Sequence, residues 1–163
     1  MAAHGYERGT RDLDLASNVG LDTLTKLEHE LRKTGLHTKL RLPDAGDDLG
    51  GVLDIATDVD EAGGLVDPVQ VVDFANPHRP QRTPAADAIA RSELVPGRAI
   101  RVAALGDLIA LKLWARSLRD DADVVELLKR NPNANLTEIR ETVDRYQLGE
   151  RFDALVAGLR ERR

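Results

Sequence analysis

A chain of 163 residues with 42% hydrophobic but only 3% aromatic residues can build one domain around an aliphatic core, with at most a small helical extension. Its net charge of −5, spread over interspersed acidic and basic residues, advertises no general polyanion-binding surface, although a local basic pocket stays open. The lack of cysteine excludes disulfides and thiolate metal sites. With no apolar run approaching ~20 residues and a polar start, neither a membrane span nor a signal peptide is expected, and a cytoplasmic protein is the default.

The first informative stretch is Gly5-Tyr6-Glu7-Arg8-Gly9-Thr10-Arg11-Asp12-Leu13-Asp14-Leu15. If 12–15 is a strand, Asp12 and Asp14 point to one face and Leu13 and Leu15 to the other. Two like charges on one face repel, and a divalent cation is the usual way to make them tolerable. Arg8 and Thr10 offer a cation and a hydroxyl to phosphate oxygens. Taken alone, the pair reads equally well as two solvated aspartates on a strand.

Further along, Leu21, Leu24, Leu27 and Leu31 predict an amphipathic helix over 21–34, with Asn18 or Asp22 serving its start and Gly35 its end. Residues 36–42 alternate as a half-buried strand stopped by Pro43. Strands are expected over 52–56 and 69–74, joined by an exposed acidic loop, with Asp54 and Asp73 interrupting their apolar runs. A third carboxylate beside the first pair is what two-metal phosphoryl transfer requires; a solvated strand-end aspartate is the structural alternative. A short helix over 84–92, opened by proline, and a strand over 98–102 follow.

Residues 107–123 read as one helix. At about 100° per residue, Lys112, Arg116, Arg119 and Asp123 share a face with Asp120 at its edge. Leu108, Leu111, Ala115 and Leu118 form the neighbouring apolar stripe. Ordinary Arg116–Asp120 and Arg119–Asp123 ion pairs would explain the charges without any function. The tail continues helical, with helices over 137–146 and 150–160, and Tyr146 and Phe152 fall at core spacing. His4, His29, His37 and His78 have no partners at metal-ligand spacing.

The phrase His4-Gly5-Tyr6-Glu7-Arg8-Gly9-Thr10-Arg11-Asp12-Leu13-Asp14-Leu15 resembles the motif of DNA-polymerase-β-type nucleotidyltransferases, in particular the small bacterial branch that includes AbiEii-type toxins. Residues 107–123 are similar to that family's D-L-I-x-x-K-x-x-A-x-x-x-R-D-x-x-D segment. The resemblance spans roughly residues 1–128. It implies an α+β fold: a small mixed sheet covered by helices over 1–103, with a helical portion over 104–163 packed on it. The family carries a strand and a Gly-Gly or Gly-Ser turn before this phrase. Residues 1–6 look like the tail of the helix after that turn, so the chain is expected to lack that strand and turn.

The function implied is metal-dependent transfer of a nucleoside monophosphate from a nucleoside triphosphate. Asp12 and Asp14 would hold Mg²⁺ (or Mn²⁺), with Asp73 completing the set and Asp54 in reserve. Arg8, Thr10 and Lys112 would hold the triphosphate, and Arg119 with Asp120 or Asp123 would orient the nucleotide or brace the lysine. The acceptor in such proteins is RNA, a protein hydroxyl or a small molecule, and an antitoxin or a second copy of the chain is the expected partner. A catalytically silent binding or regulatory protein on the same scaffold is the alternative, and a phosphohydrolase or nuclease using the same aspartates is a weaker third.

Overall fold

The computed structural model describes residues 2–6, 13–79 and 83–161, and its architecture is α+β, as expected. The chain divides into two compact units, one of Gly9–Ala86 and one of Met1–Arg8 with Asp87–Arg163. The division therefore falls before the expected boundary at 103, and the first residues belong with the helical unit.

In the first unit, strands β1 (Leu13–Ser17), β2 (His37–Arg41), β3 (Gly51–Ala56) and β4 (Val69–Asp73) form a sheet in the order β1-β4-β3-β2. β1 and β4 run parallel, and the other two pairs run antiparallel. Helix α1 (Leu21–Lys33) covers one face. Its Leu24 is buried, and Arg32 donates to the Thr38 hydroxyl at 2.7 Å. The alternation of β2 thus turns Thr38 and Leu40 toward α1 and exposes His37, Lys39 and Arg41. The helix closes as the glycine at 35 foretold. Gly35, at φ 89°, lets its own N–H reach Arg32 O and the Leu36 N–H reach Leu31 O, capping carbonyls that a helix end leaves orphaned. Neither Asn18 nor Asp22 caps the start, where Gly20 stands without a side-chain bond.

Helix α2 (Pro84–Ala90) follows, and the expected strand over 98–102 shrinks to a hairpin of β5 (Glu93–Leu94) with β6 (Arg101–Val102). The helical unit consists of α3 (Leu105–Ala115), α4 (Leu118–Arg130), α5 (Leu136–Asp144) and α6 (Gly149–Glu161). Ile109, Leu113, Val124, Leu127 and Val143 are the aliphatic part of its core, and Phe152 is buried with them. Tyr146 joins that core as predicted, with Trp114 edge-on at 6.5 Å.

The single helix expected over 107–123 is two. Arg116 adopts a left-handed conformation at φ 58°, and Ser117 caps α4 by accepting the Asp120 N–H at 3.0 Å. This break rotates the second half of the predicted faces. Ala115 is exposed and Leu118 is 89% exposed, so the expected apolar stripe ends at Leu111. Asp107, Ile109, Ala110 and Leu113 are the buried side chains of α3 instead.

Candidate functional site

Strand register decides which carboxylates share a surface. Asp14 pairs with Gln70, Gln70 with Asp54, and Asp54 with Lys39, so these four form one cross-strand row. Cross-strand partners project to the same side of a sheet. Leu53 and Thr38 project toward α1, so the row lies on the opposite face. Asp14 is exposed at the edge strand, whereas Asp54 is only 8% exposed. Asp54 Oδ1 accepts from the Gln70 amide at 2.5 Å and from Arg41 at 3.4 Å. Gln70 was not among the expected site residues. Its signal was available, for it is the polar interruption of an apolar strand at the position that alternation places beside Asp54.

Asp73 is on the other face. It pairs with Ser17 and Gly51, on the α1 side of the sheet. Its side chain is fully buried (0% exposed) and its carboxylate accepts four hydrogen bonds. Oδ2 takes the Ser17 hydroxyl and the Val19 N–H, both at 2.7 Å, and Oδ1 takes the N–H groups of Gly20 at 3.2 Å and Ala75 at 2.9 Å. Asp73 therefore ties the end of β4 to the turn that leads into α1. The geometry brings Asp14 together with the reserve residue Asp54 and does not bring Asp73 to them.

Arg8, Thr10 and Asp12 lie outside the described residues. Carboxylate oxygens have the right chemistry for a hard divalent cation. β4 stands between β1 and β3, so the backbones of Asp14 and Asp54 are two strand spacings apart, roughly 10 Å. Among the described residues no group of three or more His, Asp or Glu side chains converges to hold a metal.

In the helical unit the break at Arg116–Ser117 folds α4 back so that its first turns meet Lys112 of α3. The ammonium donates to Asp120 Oδ1 at 2.8 Å and lies 2.9 Å from Asp123 Oδ2. Asp123 is 2% exposed, and its Oδ1 accepts the Tyr6 hydroxyl at 3.2 Å. Burial by itself would lower the Lys112 pKa; hydrogen bonds to Asp120 and Asp123, reinforced by their charges, outweigh it and leave it raised. The expected pairs of Arg116 with Asp120 and Arg119 with Asp123 are thus replaced by one lysine serving both carboxylates. The side chains of Arg116 and Arg119 are exposed. Tyr6 was not among the expected site residues, although it stands inside the recognised phrase. His4 sets its ring nitrogen 2.8 Å from Ala103 O, while Asn131 donates to His4 O at 2.9 Å.

A cleft of about 450 Å³ in the same unit is lined by Arg91, Asp107, Asn135 and Glu141 among others. None of the expected site residues among those described lines it. Arg91 and Asp107 close on each other there as an ion pair, which raises the arginine's pKa through the hydrogen bond to Asp107.

No helix among the described residues is long and apolar enough to cross a membrane. Comparison with protein-family models and with curated proteins returned no match for this chain.

Proposed function

We propose that this protein is a metal-dependent nucleotidyltransferase that moves a nucleoside monophosphate from a nucleoside triphosphate to an acceptor hydroxyl. The observation that carries the reading is the row Asp14–Gln70–Asp54, which sets an exposed and a nearly buried carboxylate on the sheet face opposite α1. The exposed member is the second aspartate of the phrase that resembles the family motif. In this reading Asp12 and Asp14 hold Mg²⁺ or Mn²⁺, and Asp54 takes the role of third carboxylate that was expected of Asp73. A divalent ion supplies charge stabilisation for the oxygens entering and leaving phosphorus. The acceptor oxygen forms its bond to the α-phosphorus as pyrophosphate leaves, and the acceptor proton passes to a carboxylate of the row. Lys112 offsets triphosphate charge that grows on the leaving group.

The test is binding of each nucleoside triphosphate with Mg²⁺ to the Asp54→Asn variant, beside Asp73→Asn. The reading predicts that the Asp54 variant stays folded and loses metal-dependent binding. Unchanged binding in that variant would remove Asp54 from the site.

A second reading is a catalytically silent binding or regulatory protein on the same scaffold, with an antitoxin or a second copy of the chain as partner. It is favoured by one observation: Asp73 and Lys112 are each held by several groups of the protein itself. A folded chain that binds no triphosphate but does bind a protein partner would decide for it.

A further inference from the structure

We infer that Lys39 and Arg41 of β2 bind the β- and γ-phosphates of a triphosphate whose α-phosphate lies over the carboxylate row, so that the sheet unit carries phosphate-binding cations of its own. The inference rests on the nucleotidyltransferase reading. It adds a second group of phosphate-binding residues to Lys112 of the helical unit.

Strand pairing extends the row by one member. Asp54 of β3 stands opposite Lys39 of β2, so the row reads Asp14–Gln70–Asp54–Lys39 across all four strands. Arg41 lies two residues further along β2, and alternation returns it to the same face. Thr38 and Leu40 turn the other way, toward α1, and leave Lys39 and Arg41 exposed. All of these residues belong to one compact unit.

The spacing suits a chain of phosphates. The Lys39 backbone is one strand spacing, about 5 Å, from that of Asp54, and Arg41 is about 7 Å along the strand from Lys39. A triphosphate has a similar length. With its α-phosphate beside the metal-binding carboxylates, its outer phosphates run toward β2. There an ammonium and a guanidinium meet the charge that grows on the departing pyrophosphate. Arginine's planar fork can hold two oxygens of one phosphate.

Both cations are open to such a ligand. Among the described residues the Lys39 side chain makes no hydrogen bond or ion pair. Arg41 is held loosely, by one contact of 3.4 Å to Asp54 Oδ1, and half of its side chain (51%) is accessible. Lys112, by contrast, is held at 2.8 and 2.9 Å by two carboxylates. Because β2 is an edge strand, charged side chains there also guard against pairing with another sheet. The experiment must separate that role from phosphate binding.

The test is calorimetric titration of the full chain with a nucleoside triphosphate, and with the matching monophosphate, in Mg²⁺. It is run on wild type, Lys39→Gln, Lys39→Arg, Arg41→Gln and Asp54→Asn, with sedimentation of each variant alongside. Lys39→Gln and Arg41→Gln are each expected to weaken triphosphate binding about tenfold, the worth of one hydrogen bond to a charged group. Monophosphate affinity should stay unchanged, and Lys39→Arg should keep most of the triphosphate affinity. A disturbed sheet would instead weaken both nucleotides alike, which would overturn the inference. So would a pure edge role, in which the glutamine variants self-associate but bind triphosphate as tightly as wild type. If they bind as wild type does while Asp54→Asn abolishes binding, the inference fails and the nucleotidyltransferase reading stands. If folded wild type binds no triphosphate, that reading fails and the inference falls with it.

Discussion

Ser17 and Asp73 stand opposite each other on the parallel strands β1 and β4, and the Ser17 hydroxyl donates to Asp73 Oδ2 at 2.7 Å. The same carboxylate collects three backbone N–H groups, from Val19, Gly20 and Ala75. It is the fastener of the sheet unit: the chain leaves β1, turns into α1, and both ends of that turn are held by one buried side chain.

Asp73→Ala leaves those donors without an acceptor. Each unmade buried bond costs about 1–3 kcal/mol, so a loss of about 4 kcal/mol or more is expected, a large share of the whole stability of a small domain. Ser17→Ala removes one donor and leaves the carboxylate with three, which predicts a loss of about 1 kcal/mol. Urea denaturation of the two variants measures both. A mild effect of Asp73→Ala would contradict the fastening role.

Gly50 presses against the same fastener. Its N–H donates to Asp73 O at 2.7 Å, and a Cβ built on it would lie 2.6 Å from the carbonyl carbon of Ala75 and 2.6 Å from Asp73 Oδ1. Backbone cannot yield as the tip of a flexible side chain can. Gly50→Ala is therefore expected to cost about 3 kcal/mol through overpacking and the displaced carboxylate. Gly63→Ala, where a Cβ would meet no atom within 4 Å but φ is 80°, tests strain alone and is expected to cost about 1 kcal/mol. Equal melting temperatures for the two would contradict the contact argument.

Lys112 and Tyr146 set the alkaline limit of the helical unit. Burial works against the ammonium of Lys112, but its hydrogen bonds to Asp120 and Asp123 prevail and raise its pKa above the ordinary 10.5. Burial raises Tyr146 above its ordinary 10.0, and the hydrogen bond its hydroxyl gives to Asp87 at 2.5 Å adds to this. In both cases the folded state binds the proton more tightly than the unfolded one. Their stabilisation is fully present below the ordinary values and is lost as pH rises through the raised ones. Stability should hold from neutral pH to about pH 10 and then fall. Lys112→Met, which takes the ammonium from the buried Asp123, is expected to lose about 3 kcal/mol at neutral pH. The variant should also show a shallower alkaline decline, measured by urea midpoints across that range. A decline as steep as wild type would remove Lys112 from the account.

Much of the sheet unit was legible in the chain. α1 and the strands follow from period and punctuation: Leu24 is the buried leucine of the α1 stripe, and Leu53 stands in a run buried along nearly its whole length. The choice between Asp54 and Asp73 was not legible, since it depends on strand register. Both interrupt an apolar run, and only the pairings with Gln70 and Ser17 put them on opposite faces. The break between α3 and α4 was legible and went unread. Ser117-Leu118-Arg119-Asp120 is a capping sequence, but uninterrupted helix-forming residues on either side outweighed it. Missing the break sent Asp120 and Asp123 to the arginines, when the cap turns them toward Lys112. The part of Tyr6 could not be read at all, because a contact across 117 positions leaves no local signature.

The most direct measurement is calorimetric titration of the chain with each nucleoside triphosphate in Mg²⁺, repeated on Asp12→Ala/Asp14→Ala. Asp14 is exposed and takes no part in the core; a melting curve recorded beside each titration identifies folded protein. The account predicts metal-dependent binding to at least one triphosphate in wild type and its loss in the folded double variant. Wild-type protein that is folded and binds none, or a double variant that binds as well as wild type, would contradict it.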